Sequence, residues 1–83
     1  MKNNGQARDS ALLGEMLRAQ RTALGIQQAE LAARLGVNQA YVSKSERGQR
    51  RLEVVEWIVL CEALGVSAPE FLQRYLRRRA GLS

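Results

Sequence analysis

Glycines divide this chain of 83 residues into stretches whose apolar residues follow a helical pattern. The stretches end at Gly25, Gly36, Gly48 and Gly65. Glycine is the residue most often found just beyond the end of a helix. No stretch alternates apolar and polar residues as a half-buried strand does, and hairpin dipeptides are absent. We therefore expect an all-α fold, a compact arrangement of helices with short joints.

The pattern predicts helices at about residues 10–24, 28–35, 39–47, 54–64 and 68–79. Asn38 and Ser67 precede the third and the fifth of these and are residue types that cap helix N-termini. Residues 1–9 are predicted to form a disordered N-terminal tail, and residues 80–83 a short C-terminal tail. A chain of this length supports a single modest core, so the rest is expected to be one domain.

Cysteine and histidine usage restricts the chemistry of the chain. The single cysteine, Cys61, lies in an apolar run, and histidine is absent. An internal disulfide is therefore impossible, a zinc site is excluded, and Cys61 is expected to be a core residue rather than a nucleophile. The lack of disulfides is typical of a reducing compartment. We expect a cytoplasmic protein of bacterial or phage type, associated with the nucleoid.

No apolar run is long enough to span a membrane, and the polar N-terminus lacks the apolar region of a signal peptide. The net charge of +5 predicts an anionic partner, with nucleic acid first, although a basic surface also serves solubility or membrane contact. The sequence contains no recognisable general base, metal cluster or phosphate-binding glycine loop. Neither enzymatic activity nor a cofactor is therefore expected.

The middle of the chain, Gly36–Arg51 (GVNQAYVSKSERGQRR), is the most informative stretch. The second and third predicted helices are joined by a short turn containing Gly36, which is the arrangement of a helix-turn-helix unit at about residues 28–47. In such a unit the second helix enters the DNA major groove, and its first residues meet base edges. The many polar side chains on this stretch are explained if they form hydrogen bonds with a DNA duplex.

Residues at positions characteristic of one known family of DNA-binding domains are spread over about Leu13 to Leu72. They are Leu13-Gly14, Arg21, Leu24-Gly25, Gln28, Glu30-Leu31-Ala32, Leu35-Gly36-Val37, Gln39, Val42-Ser43-Lys44, Glu46-Arg47-Gly48 and Ala63-Leu64-Gly65-Val66. With these spacings the chain resembles the DNA-binding domain of the Xre/Cro family, the lambda repressor-like proteins. The resemblance implies a five-helix domain that binds double-stranded DNA of specific sequence and regulates transcription. It also implies a (pseudo)palindromic operator bound by a dimer, and no small-molecule effector is expected.

The resemblance also implies which residues contact DNA. They are Gln28, Asn38, Gln39, Ala40, Tyr41, Ser43, Lys44, Arg47, Arg50 and Arg51. Gln39 would pair with an adenine edge, Ala40 would touch a thymine methyl group, and Lys44 would donate to guanine. Tyr41 would reach a phosphate or a base.

Phosphate contacts are implied for Gln28, Ser43, Arg50 and Arg51, because these side chains would face the DNA backbone. Arg21 of the first helix is implied to pair with Glu46 of the third, which would hold the recognition helix on the scaffold.

Each of these roles has an alternative. Gln28, Gln39 and Lys44 are also ordinary solvated side chains for a helix surface, and Tyr41 would equally well pack on the scaffold. The Arg21–Glu46 pair would contribute little if it lay at the surface. The arginines at 77–79 are more typical of a solvated helix end than of a second DNA contact.

Three residues depart from the family pattern. Gln27 stands at the cap of the second helix, where Ser or Thr is usual, so that cap should be weaker. Gln20 and Ser45 replace residues that are usually apolar. If both point inward they need hydrogen-bond partners, and a bond between the two is one option.

The fourth and fifth helices carry more apolar residues than one short helix pair can bury. They are Val54, Val55, Trp57, Ile58, Val59, Leu60, Phe71, Leu72, Tyr75 and Leu76. The surplus predicts an exposed apolar patch and a homodimer formed through these two helices. The alternative function is that of an antitoxin or a restriction-modification controller-type protein, acting partly through a protein partner.

Overall fold

The computed structural model describes residues 4–81 and consists of five α-helices joined by short loops. Their bounds are α1 Asn4–Ala23, α2 Gln28–Leu35, α3 Gln39–Glu46, α4 Val54–Ala63 and α5 Ala68–Arg79. No strand occurs between residues 4 and 81. The all-α, five-helix prediction is confirmed, and α2 to α5 begin and end within about one residue of their predicted bounds.

Helix α1 begins at Asn4, earlier than predicted, so the expectation of a disordered tail is wrong for residues 4–9. Contacts with α5 tie this part of α1 to the domain. The hydroxyl of Tyr75 donates to the carbonyl oxygen of Asp9 at 3.1 Å, and Arg79 Nε donates to the Asp9 carboxylate at 2.8 Å. The rest of the predicted N-terminal tail, residues 1–3, and residues 82–83 lie outside the described residues.

All five helices contribute to one core. Its buried side chains are Met16, Leu17, Leu31, Ala32, Val42, Leu60, Cys61, Leu64 and Phe71. Cys61 is completely buried, and this burial raises the pKa of its thiol to about 11. The thiol is therefore neutral at physiological pH, and the prediction that Cys61 is a core residue is confirmed. No helix within residues 4–81 combines the length and the apolarity needed to cross a bilayer.

Gly14 allows α1 and α3 to approach closely. It is buried, and a Cβ atom at this position would lie 2.5 Å from the carbonyl oxygen of Ser45. A glycine in a helix interior costs about 1 kcal/mol relative to alanine. Here that cost is offset because the C-terminal end of α3 rests directly on the backbone of α1.

Hydrogen bonds at the helix N-termini help to explain where the helices begin. Asn38 Oδ1 accepts a hydrogen bond from the backbone N–H of Tyr41 at 3.0 Å, so the predicted cap of α3 is confirmed. Gln27 makes no side-chain cap bond to α2, which is the weaker cap that its residue type predicts. Helix α4 has a capping box that we did not predict, formed by Glu53 and Glu56.

Gln20 and Ser45 do not bond to each other, so this option is not realised. Ser45 is buried, and its Oγ donates to the carbonyl oxygen of Tyr41 at 2.7 Å. Gln20 Nε2 donates to the carbonyl oxygen of Leu64 at 3.4 Å. Both polar side chains therefore donate hydrogen bonds to backbone carbonyl oxygens. Considering only which side chains could pair with each other overlooks such bonds.

Candidate DNA-binding surface

Helices α2 and α3, each of eight residues, are separated by the turn at residues 36–38. Gly36 has a left-handed backbone with φ of 72°, and the N–H of Val37 returns to the carbonyl oxygen of Ala32 at 3.0 Å. This turn sets α3 across α2, and α3 also packs on α1. One side of α3 is thereby buried through Val42, Ser45 and Glu46, and the other side faces outward.

The residues implied in DNA contact fall into two groups by exposure. The exposed ones are Asn38, Gln39, Ala40, Lys44, Arg47 and Arg51. The partly buried ones are Gln28, Tyr41, Ser43 and Arg50. The exposed set includes Gln39 and Ala40 at the start of α3, for which base contacts are implied, together with Lys44 one turn further on.

The Arg21–Glu46 ion pair is present and buried. Arg21 Nε lies 2.5 Å from Glu46 Oε2, and Arg21 Nη2 lies 3.0 Å from Glu46 Oε1. Each residue is 7% exposed, so the alternative of a weak surface pair is wrong. Arg21 Nη1 also donates to the carbonyl oxygen of Ile26 at 2.8 Å. The guanidinium therefore joins α1, the following turn and the C-terminal end of α3.

A chain of hydrogen bonds runs from this ion pair to the front of α3. Gln28 Nε2 donates to Glu46 Oε1 at 3.0 Å, and Gln39 Nε2 donates to Gln28 Oε1 at 3.3 Å. The two glutamines are therefore held by protein contacts and are not simply solvated. Because Gln39 is exposed, one hydrogen-bonding edge of its amide remains accessible from outside.

Arg47 lies along the last turn of α3. Its Nη1 donates to Ser43 Oγ at 2.6 Å and its Nε to Gln49 Oε1 at 3.1 Å. A cleft beside it is lined by Glu15, Arg18, Gln28, Ser43, Glu46 and Arg47. Arg18 of α1 is exposed at the rim of this cleft and was not among the predicted residues. The sequence feature that could have indicated Arg18 is its position one helical turn before Arg21, on the same face of α1.

Arg50 and Tyr41, for which DNA contacts are implied, also make contacts within the protein. Arg50 Nη1 and Nη2 donate to the two carboxylate oxygens of Glu56 at 3.1 and 3.0 Å. The Arg50 guanidinium carbon stands 4.3 Å from the centre of the Tyr41 ring. Tyr41 thus packs on the scaffold, the alternative given for this residue, and the Arg50 guanidinium is paired with Glu56.

The hydrogen bonds from Arg50, followed by one from the Glu53 N–H, hold the pKa of Glu56 below its usual range. Burial raises the pKa of Tyr41, and the negative charge of Glu56 adds to that rise. Tyr41 is therefore a neutral phenol at physiological pH. Arg51, the next residue after Arg50, is exposed, and its side chain makes no hydrogen bond or ion pair within residues 4–81.

Two helices joined by a tight turn, the second with a polar outward face, define a helix-turn-helix domain. The family model described as Helix-turn-helix matches residues 17–71. The chain belongs to this family, the XRE-type helix-turn-helix transcriptional regulators, which bind DNA.

Three relatives illustrate the similarity. The chain is 39% identical over 61 residues to the uncharacterized HTH-type transcriptional regulator y4dJ of Sinorhizobium fredii (strain NBRC 101917 / NGR234), covering 74% of this chain and 79% of that one. An XRE-family like protein from Pseudomonas syringae superposes with a TM-score of 0.77 and 42% identity, covering 88% of each chain. The restriction-modification controller protein C.AhdI from Aeromonas hydrophila superposes with a TM-score of 0.72 and 38% identity, covering 77% of this chain and 97% of that one.

Proposed function

We propose that this protein regulates transcription by binding a specific double-stranded DNA operator, with α3 in the major groove. The observation that carries the proposal is the hydrogen-bond chain from Arg21 through Glu46 and Gln28 to Gln39. It holds an exposed amide at the first position of α3, where base edges are read in this kind of unit. Membership of a DNA-binding family supports the same function.

Base reading is assigned to the exposed side of α3. Gln39 pairs with an adenine, Ala40 touches a thymine methyl group and Lys44 donates to a guanine. The exposure of all three side chains supports these assignments.

Phosphate binding is assigned to the residues around that side. Gln28, Ser43 and Arg47 line one cleft with Arg18, which we add to the set because it brings a further positive charge there. Asn38 and Arg51 are exposed beside the two ends of α3 and complete the phosphate contacts.

We propose further that the operator is (pseudo)palindromic and bound by a homodimer formed through α4 and α5. Large apolar side chains are exposed on these helices, namely Val54, Val55, Val59, Leu72 and Leu76, with exposed fractions from 42% to 70%. Clustered exposed apolar residues mark interfaces. A two-fold axis would set two recognition helices about 34 Å apart, one turn of DNA. The protein would act in the cytoplasm, at the nucleoid, with no small-molecule effector.

Selection of duplexes from a random-sequence library by the purified protein tests this proposal. The expected result is an enriched motif with two-fold symmetry that the protein retards in a gel-shift assay. A library that stays unenriched, or an enriched motif without symmetry, would contradict the operator or the dimer respectively.

A second candidate is a controller-type function that depends partly on a protein partner. It is favoured by the 38% identity to a protein described as a restriction-modification controller. A gel shift with DNA from upstream of the protein's own gene separates the two candidates. Retardation by the pure protein supports the first, and retardation only after a partner is added supports the second.

A further inference from the structure

Tyr41, Arg50 and Glu56 form a cluster that joins α3, the loop at residues 47–53 and the first turn of α4. The Arg50 guanidinium makes a two-point ion pair with Glu56 and stacks on the ring of Tyr41. Glu56 is itself fixed, because its Oε1 accepts the backbone N–H of Glu53 at 2.9 Å. The cluster is therefore anchored to the start of α4.

We infer that Arg50 is a positioning residue, which sets the orientation of the recognition helix through Tyr41 and does not bind phosphate. The inference rests on the proposed function, since it assigns to Arg50 a role in reading the operator. It reverses the phosphate contact that the sequence resemblance implies for this residue.

Three of the five N–H groups of the Arg50 guanidinium are engaged within the protein. Its Nη1 donates both to Glu56 and to the carbonyl oxygen of Arg51, at 3.1 and 2.9 Å, and its Nη2 donates to Glu56 at 3.0 Å. One face of the guanidinium lies on the Tyr41 ring. A phosphate that approached the remaining N–H groups would be repelled by the neighbouring Glu56 carboxylate, whose charge already balances Arg50; the two side chains are 35% and 28% exposed.

Tyr41 transmits this restraint to the residues that face the groove. It lies in the first turn of α3, where its N–H is bound by Asn38 and its carbonyl oxygen by Ser45. Its ring faces a groove between α2 and α4 lined by Leu35, Val37 and other apolar side chains. A shift of the ring would therefore turn the first half of α3 and move the amide of Gln39.

Arg51 supplies a matched control one residue away. It is exposed, and its side chain has no bonding partner within residues 4–81. A lysine keeps the charge that a phosphate needs but loses the planar fork and the stacking surface of arginine. Arg50→Lys and Arg51→Lys therefore separate positioning from phosphate binding without a change in net charge.

The test is fluorescence anisotropy over a salt series with two labelled duplexes, one selected from a random library by the wild-type protein and one scrambled. We expect Arg50→Lys to weaken binding to the selected duplex about tenfold and to leave the scrambled duplex unchanged. Arg51→Lys should stay within about twofold of wild type on both duplexes. Wild-type affinity of Arg50→Lys on both duplexes, or equal losses on both, would overturn the inference.

The variant Glu56→Gln gives an independent test, because the two roles of Arg50 predict changes of DNA affinity in opposite directions. If Glu56 merely restrained a phosphate-binding Arg50, releasing it would tighten binding to both duplexes. We expect the opposite for the selected duplex, a loss similar to that of Arg50→Lys, and no additional loss in the double variant. Tighter binding to both duplexes would overturn the inference.

A measurement without DNA tests the inference even where a variant binds DNA weakly for another reason. In 1H–15N NMR spectra of the free protein, Arg50→Lys should shift the amide signals of Gln39 and Lys44, and Arg51→Lys should not. Unchanged signals at both positions in Arg50→Lys would overturn the inference. A wild-type protein that selects no duplex would contradict the proposed function instead, and the spectra would still decide the role of Arg50.

Discussion

Arg21 and Glu46, 25 residues apart in the sequence, meet in the interior through two hydrogen bonds of 2.5 and 3.0 Å. They are the only pair of oppositely charged residues classed as buried within residues 4–81. Two charges that are removed from water are held only if each has its partner. The pair therefore links the stability of the domain to the placement of α3.

Glu46→Gln is expected to destabilise the protein by about 3–5 kcal/mol, because it leaves the buried Arg21 without a counter-charge. Urea unfolding followed by circular dichroism measures this loss. The matched control is Glu30→Gln in the exposed Arg34–Glu30 pair, whose side chains are 47% and 49% exposed. That variant should change stability by less than about 1 kcal/mol. Similar small losses in both variants would show that the buried pair does not anchor α3.

Cys61 predicts how stability changes at alkaline pH. Its folded pKa of about 11 lies above the usual value of 9.0 because the thiol is buried. A raised pKa means that the folded state keeps the proton while the unfolded state loses it. The contribution of the protonated thiol to the free energy of unfolding is therefore complete below pH 9.0. It is lost as the pH rises towards about 11.

Cys61→Ala should accordingly show a shallower fall of unfolding free energy over this pH range, even if its stability at neutral pH is lower. Unfolding curves in urea at several alkaline pH values provide the comparison. Identical slopes for the variant and the wild type would mean that the thiol ionises equally easily in both states.

Val55 tests the dimer. It is 70% exposed on α4 and lies within the proposed apolar interface. Val55→Glu should abolish the dimer in sedimentation experiments at tens of micromolar and leave the thermal melting of the monomer nearly unchanged. Ala19→Glu, at an exposed position on α1, is the control and should remain dimeric. A monomeric wild type, with and without DNA, would contradict the proposed interface.

Local chemistry made much of this structure predictable from sequence. The start of α3 was found because Asn38 caps it through its own side chain, a bond that spans three residues. The turn before α3 was found because Gly36 supplies its left-handed backbone. Such features depend on neighbours in the chain, which a sequence displays directly.

Contacts between distant parts of the chain are less visible in the sequence. In α1, Asp9 is held by Tyr75 and Arg79, which are 66 and 70 residues further along the chain. The bond of Arg50 to Glu56 and its stacking on Tyr41 depend on how the loop folds over α3, which the sequence does not display. Gln20 bonds to the carbonyl oxygen of Leu64, 44 residues away, whereas Ser45 makes a local bond to Tyr41, four residues earlier, of a kind that serine often makes in helices.

The central claim is that α3 reads base sequence while the loop after it binds phosphate. The most direct test compares Gln39→Ala with Arg51→Ala by fluorescence anisotropy, on a selected and a scrambled duplex over a salt series. Gln39→Ala should lose about 1–3 kcal/mol on the selected duplex and much less on the scrambled one. Arg51→Ala should weaken both duplexes alike and reduce the salt slope of log K by about 1. Equal losses on both duplexes for Gln39→Ala would contradict the account, because Gln39 would then only position the protein on DNA.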